Sequence, residues 1–254
     1  MRVTCIGHSG FAIECDGATL VFDYYTDEHC VLPAILERAS KVYVFVSHSH
    51  RDHLNYDIFQ WKGLYNIERY VIANECRRKL GRSLDLAAYP FTFLHHDEDF
   101  DDGCVHVHAF NSTDVGVCFM VDVDGRRIFH AGDYNCWHFE QEQGEQGKKK
   151  ALGDFNVILR TIEKYVKKTS EHSGCYSGEG VDLAMFPVIP NIGGDFALGA
   201  RLYLEAIPTR HFIPMHTWGR DREATRFHLY QSPHGTCYHS LFAGKELLLS
   251  NELC

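Results

Sequence analysis

The chain has 254 residues, 45% hydrophobic and 23% charged, a balance typical of a soluble globular protein with enough material for a large buried core. Its 34 acidic and 25 basic residues leave a formal net charge of −9, which disfavours nonspecific binding to nucleic acid or to an anionic membrane. No apolar stretch approaches the roughly 20 residues that span a bilayer, and Met1 to His8 lack the features of a secretory leader, so a cytoplasmic location is expected.

Val3 to Cys15 and Thr19 to Asp23 read as two strands joined by a tight Asp16-Gly17 turn. His8 falls in Gly7-His8-Ser9-Gly10-Phe11, and Asp23 ends the second strand. Leu32 to Ala39 suggest a short helix with Pro33 in its first turn. The apolar run Val42 to Val46 then reads as a buried strand. It delivers Ser47-His48-Ser49-His50-Arg51-Asp52-His53, three imidazoles and a carboxylate in one short loop. Neutral imidazole nitrogen and carboxylate oxygen suit borderline divalent ions such as zinc. His48 and His50, two apart, can turn to one side of an extended backbone, while Asp52 and His53 follow once the chain curls. The loop therefore reads as half of a two-metal cradle, with His48 and His50 on one ion and Asp52 and His53 on the other.

His48-x-His50-x-Asp52-His53 resembles the HxHxDH signature of the metallo-β-lactamase-fold hydrolases in residue type and spacing. The resemblance implies that Asp23 sits behind the metal histidines and orients them. Such a role makes physical sense, because a ligating imidazole donates its other N–H to an acceptor. The stretch from Gly7 to Phe11 is similar to the lactonase-like branch of that family, and His8 either faces the site or fills a strand end.

Beyond the loop, Ile58 to Trp61 fit a helix, Glu68 to Ala73 a strand, and Asn74 to Leu80 a helix stopped by Gly81. His95 to Gly103 mixes histidine with acids and reads as a solvated hairpin loop rather than a metal site. His106 and His108 share one face of the next strand, in a cross-strand or surface role. Most of the resembled family has a third histidine for the first ion just after this strand. Asn111 to Asp114 contain none, which leaves Asp114 or His138 as the substitute and implies weaker occupancy of the first site.

Val115 to Val123 and Arg126 to His130 form a second hairpin across Asp124-Gly125. Its end, Phe129 to Asp133, resembles the Gly-Asp motif whose aspartate bridges both ions in the family. Trp137 and His138 follow closely enough to wall or reach the site. Gln141 to Lys150 reads as an exposed loop or frayed helix end. Phe155, Ile158, Leu159, Ile162, Tyr165 and Val166 recur at helical spacing, so Asp154 to Lys168 is an expected amphipathic helix. Ser170 to Gly180 follows as a connection, Val181 to Val188 as a buried strand, Ile192 to Asp195 as a turn and Phe196 to Ile207 as a helix. His211 to Trp218 forms a short strand in which Ile213-Pro214-Met215-His216 resembles the family's final ligand motif, while His211 reads as an ordinary histidine. Phe227 to Tyr230 suggest a closing helix and Leu247 to Leu249 an edge strand. The ten cysteines are scattered without a CxxC pair and read as reduced thiols.

The alternation of elements sets the class as α/β, with no linker that would divide residues 1–254 into separate domains. The resemblance, from about His8 to Trp218, implies a four-layer αββα sandwich, two mixed sheets face to face with helices outside and a site on one rim. It implies His48, His50, Asp52, His53, Asp133 and His216 as metal ligands, with Asp52 also catalytic in orienting the nucleophile. The expected cofactor is one or two divalent ions per chain, zinc first, with manganese or iron as other choices. The expected activity is hydrolysis of a small-molecule ester, lactone or phosphoester by metal-activated water. The alternative is a non-hydrolytic iron redox or binding protein on the same fold. A small-molecule substrate is the expected partner, not nucleic acid or a membrane, and homo-oligomerisation stays open.

Overall fold

Short runs rich in β-branched and aromatic residues form two seven-stranded sheets. The computed structural model describes residues 1–138, 140–169, 179–193, 195–224, 226 and 230–249. The first sheet begins with β1 (Arg2–Gly7), β2 (Gly10–Glu14) and β3 (Thr19–Phe22). After helix α1 (Leu32–Arg38) come β4 (Val42–Val46) and β5 (Ile67–Ala73), and after α2 (Arg77–Leu80) comes β6 (Phe91–Leu94). The second sheet takes β7 (Asp99–Asp101), β8 (Val105–Asn111), β9 (Val117–Val123) and β10 (Arg126–His130). Helix α3 (Glu140–Thr169) leads to β11 (Val181–Pro187), and α4 (Leu198–Ala206) to β12 (Thr209–Met215). The short α5 (Asp221–Ala224) precedes β13 (Cys237–Tyr238), and β14 (Glu246–Leu248) returns to the first sheet beside β1.

The strand orders are β14-β1-β2-β3-β4-β5-β6 and β13-β12-β11-β10-β9-β8-β7. Both sheets are mixed. β1 to β3 run antiparallel and β3 to β6 parallel in one. In the other, β7 to β10 run antiparallel and β10 to β13 parallel. Parallel strands covered on both faces read as unbroken apolar runs, and all five residues of β4 are buried. Between the sheets Phe45 of β4 lies 5.5 Å from Phe119 of β9, and Phe22 of β3 stacks on His130 of β10 at 4.9 Å. Each buried phenyl contributes roughly 1.5–3 kcal/mol. Alternation along β10 turns Phe129 to the outer face, where it stacks on Tyr203 of α4 at 5.1 Å. Helix α3 covers β8 and β10, with Tyr165 stacked on His108 at 4.3 Å. This is the expected layering of helices outside two facing sheets.

Several elements differ from the expectation. The first predicted strand is two, β1 and β2, broken at His8-Ser9 where Gly7 and Gly10 flank a turn. The helix expected at Ile58 to Trp61 is a 3-10 turn over Tyr56–Trp61, and α2 is one turn preceded by another at Asn74–Cys76. The acidic loop contains β7, an edge strand whose Asp99 and Asp101 face His108 and His106 of β8. Of the two readings of Gln141 to Lys150, the helix end holds and the loop does not: the stretch lies within α3, with a break in helical backbone at Gly144. Of the closing helix, residues 227–229 lie outside the described residues, as do 170–178 of the Ser/Gly-rich connection. Among the described cysteines seven are free and Cys237 is disulfide-bonded, one exception to the reduced thiols expected. No helix among the described residues is long and apolar enough to cross a membrane.

Candidate metal centre

The carboxyl ends of strands gather at one rim, where open α/β sheets commonly place their ligands. β3 ends at Asp23, β4 runs into the His48-to-His53 loop, β10 into Ala131-Gly132-Asp133 and β12 into His216. The β1–β2 turn adds His8, and the turn after β8 adds Asp114. Two glycines permit the approach. A Cβ on Gly116 would lie 2.1 Å from the Ser47 carbonyl oxygen, and one on Gly132 2.8 Å from Ser47 Cβ; both have positive φ. The loops after β8 and β10 are thereby pressed against Ser47-His48.

Two groups of potential ligands result. His48, His50, Asp114 and Asp133 form the first cluster and His8, Asp52, His53 and His216 the second, the donor atoms of each lying within 4.8 Å of one another. Asp133 belongs geometrically to both. Its Oδ2 is 3.4 Å from His48 Nε2, while its Oδ1 is 3.1 Å from His53 Nε2 and 3.2 Å from His216 Nε2. Asp52 Oδ2 lies 3.1 Å from His8 Nε2 and 3.6 Å from the Nε2 atoms of His53 and His216. Nε2 of His48, His53 and His216 and Oδ1 of Asp133 are buried and make no hydrogen bond. Buried polar atoms normally pair. Lone pairs that converge this closely without aligning on one another suit a divalent cation, and the all-nitrogen and oxygen donor set is that of zinc, iron or manganese.

Asp23 fixes the imidazoles from behind. Fully buried, it accepts from His53 Nδ1 at 2.7 Å, from the Ser47 amide at 2.7 Å and from the Ser47 hydroxyl at 2.6 Å. Ser47 Oγ in turn lies 2.9 Å from His48 Nδ1. Both Nδ1 atoms therefore carry a proton, and both Nε2 atoms face into the site. His130, fully buried, donates from Nε2 to the Ser9 carbonyl at 2.9 Å and accepts the Gly132 amide on Nδ1 at 3.2 Å, tying the Asp133 turn to the β1–β2 turn.

The field is strong. Burial alone would raise the Asp133 carboxyl, yet His216, His48 and His53 hold it far below the usual range. Asp52 is depressed in the same way, chiefly by His216 and His8 against burial. Burial also opposes a charge on His53, but Asp23 and Asp133 outweigh it and push its pKa up to about 10. His216 is raised by Asp133 and Asp52 against burial, whereas burial lowers His8.

The structure brings together all six residues singled out as ligands, His48, His50, Asp52, His53, Asp133 and His216. It gathers Asp52 with His53 and His48 with His50, the division expected from spacing, and adds His216 to the former pair. Asp114, not His138, stands in the first cluster at the place of the third histidine. Its carboxylate lies 3.7 Å from His50 Nδ1, and both side chains are about half exposed. His138 instead sets Nδ1 2.9 Å from the Cys136 carbonyl. Trp137 walls the site, its indole N–H donating to the Asp133 carbonyl and its ring 6.1 Å from that of His216. Sequence reasoning did not assign His8 to the site or notice His130. A histidine in a Gly7-His8-Ser9-Gly10 strand break was the available signal for the first.

Comparison with known proteins agrees with this fold. A metal-dependent hydrolase of Heliobacterium modesticaldum is 29% identical over 233 residues, covering 85% of this chain and 82% of that protein. Among solved structures, a metallo hydrolase from the archaeon Ignicoccus hospitalis superposes with a TM-score of 0.64 at 15% identity, covering 99% of both chains. A diiron β-hydroxylase from Streptomyces venezuelae superposes with a TM-score of 0.54 at 13% identity over 85% of this chain and 44% of that one. The model of the beta-lactamase superfamily domain matches residues 2–173, which include β1 to β10 and all but His216 of the residues gathered at the rim. With two facing mixed sheets and the HxHxDH loop at their shared edge, the chain belongs to the beta-lactamase superfamily.

Proposed function

We propose that the chain is a metal-dependent hydrolase that holds two divalent ions, zinc first among them, and acts on an ester, lactone or phosphoester of a small molecule. The observation that carries this reading is Asp133, whose two oxygens face two separate donor clusters. His48, His50 and Asp114 would hold one ion, and His8, Asp52, His53 and His216 the other. Bound there, the ions would lower the pKa of a water molecule to near neutrality and stabilise negative charge developing on the substrate. The chain's own part is to position. Asp23 and Ser47 set the tautomers of His53 and His48. Asp52, partly buried and strongly held as carboxylate, would accept hydrogen bonds and orient the attacking water. Trp137 and the half-buried turn at His8 limit access of bulk solvent.

A second reading has one observation in its favour. His48 and His50 with the carboxylates of Asp114 and Asp133 make the first cluster a mixed histidine and carboxylate set, which suits non-heme iron or manganese as well as zinc. Iron at this position, in a non-hydrolytic redox or binding protein, is the alternative. Elemental analysis of protein purified without added metal, followed by assay on ester, lactone and phosphodiester panels, separates the two. Zinc or manganese with turnover supports hydrolysis. Redox-active iron with no turnover on any panel supports the alternative.

A further inference from the structure

We infer that the substrate carries an uncharged, largely apolar group of about aryl size, received in a cavity that opens beside His8 and Trp218. The inference deepens the proposed hydrolysis and rests on it only for the chemistry beyond this pocket. The cavity has a volume of about 260 Å³. An apolar cavity of about 150 Å³ already accepts benzene, so a ring and its linking atoms fit. It lies between the β1–β2 turn and the segment after β12, with Ile6, Tyr25, Met215, Trp218 and Phe242 in its walls.

Aromatic contacts carry this wall to the second cluster without a break. The His8 ring is 4.4 Å from that of Trp218, 4.2 Å from that of His216 and 6.1 Å from that of Tyr25. A group resting on Trp218 would therefore lie against His8, the member of the second cluster that lines the cavity. Trp218 and Phe242 are 52% and 41% exposed, two of the six large exposed hydrophobic side chains among the described residues. Exposed apolar surface gathered at the mouth of a cleft marks a binding site. Trp218 is moreover held at φ 50°, a strained backbone for a bulky residue.

Charge decides the class. Among the described residues no lysine or arginine lines this cavity. Its charged members are Glu28 on the exposed rim and Asp221, which accepts the Thr217 hydroxyl. A phosphate or sulfonate in this place would meet two carboxylates and no lysine or arginine. An anionic substrate would need the cleft on the other side, where Lys150 is paired with Asp154 at 2.5 Å.

The test uses probes that cannot be hydrolysed. Anisole and benzenesulfonate are titrated against the metal-loaded protein by ligand-observed NMR, with Trp218→Ala and, as a remote control, the exposed Val157→Ala. The expected result is anisole binding at least fivefold tighter than benzenesulfonate, weakened about tenfold in Trp218→Ala and unchanged in Val157→Ala. Glu28→Lys should narrow the preference. Equal anisole affinity in Trp218→Ala and the unaltered protein, or tighter binding of benzenesulfonate that depends on Trp218, overturns the inference. Anisole binding through Trp218 in a protein that hydrolyses nothing would keep the pocket and refute the hydrolase reading. Hydrolysis of phosphorylated esters alone, indifferent to Trp218→Ala, would do the reverse.

Discussion

Asp23 accepts three hydrogen bonds behind the site while touching none of the convergent lone pairs, so its effect is exerted through His53 and Ser47. Asp23→Asn offers one fewer acceptor and adds donors that compete with His53 Nδ1–H. Zinc affinity should fall 10- to 100-fold by competition with a chromophoric chelator, whereas a merely structural role would change unfolding but not affinity. His53 also sets a pH dependence. Its pKa in the metal-free protein is pushed up to about 10, so at neutral pH a proton must leave before an ion can bind. Affinity should rise with pH toward about 10, with about one proton released per ion at this site, measured by calorimetry in buffers of different ionisation enthalpy. The sign is the same for folding of the metal-free chain. The raised His53 adds stability that is fully present below its unfolded value of about 6.5 and is lost as pH rises through about 10. At this scale the HxHxDH residues were legible because four donors fall in six consecutive positions, a pattern that needs no knowledge of the fold. His8 and Asp114 were left undecided because their proximity is created by a turn and by strand order. Of the seven non-glycine residues at positive φ among the described residues, His8, Asp23, His216 and Trp218 stand at the site or its edge, and no sequence pattern announces such strain.

At the scale of elements, β4 and the two turns that clamp its exit matter most. Gly116 lies against the Ser47 carbonyl and His48, and Gly116→Ala combines a backbone clash with an unfavourable φ. We expect roughly 2–4 kcal/mol of destabilisation by urea unfolding, together with lost metal binding in whatever folds. Gly63, also at positive φ but with nothing nearby, is the control, and Gly63→Ala should be much milder. On the second sheet Arg127 is fully buried, joined to Asp122 by two bonds of 2.7 and 2.8 Å under α3. Arg127→Met should cost roughly 3–5 kcal/mol, because it removes the guanidinium that pairs with the buried Asp122 carboxylate. Asp122→Asn should be milder in the same assay. The sequence disclosed these strands through their apolar runs but not this pair. Arg126-Arg127 beside an Asp-Gly turn looks solvated until α3 is laid over it. The same helix explains why Gln141 to Lys150 stayed open between loop and helix end, since this polar stretch carries no apolar residue and the described apolar packing of α3 includes Ala151 and Phe155. β7 escaped notice because three residues with two charges match no strand pattern, and pairing with β8 supplies what propensity does not.

For the whole molecule, the two sheets bring turns 200 residues apart in the chain to one rim, as His8 and His216 show. The layer order followed from the resemblance alone, since alternating elements are equally consistent with other α/β packings. The first cluster is the more open of the two, with His50 and Asp114 about half exposed, while His53 and His216 are buried. Two unequal ion affinities are therefore expected. His50→Ala should remove the weaker ion and spare the tighter one. Metal content per folded chain, measured by equilibrium dialysis against zinc in the unaltered protein and in Asp133→Ala, tests the shared rim most directly. The account predicts two ions in the first and a loss of affinity at both sites in the second, since one side chain faces both clusters. Two ions bound undiminished by Asp133→Ala, or none bound by the unaltered protein, would contradict it.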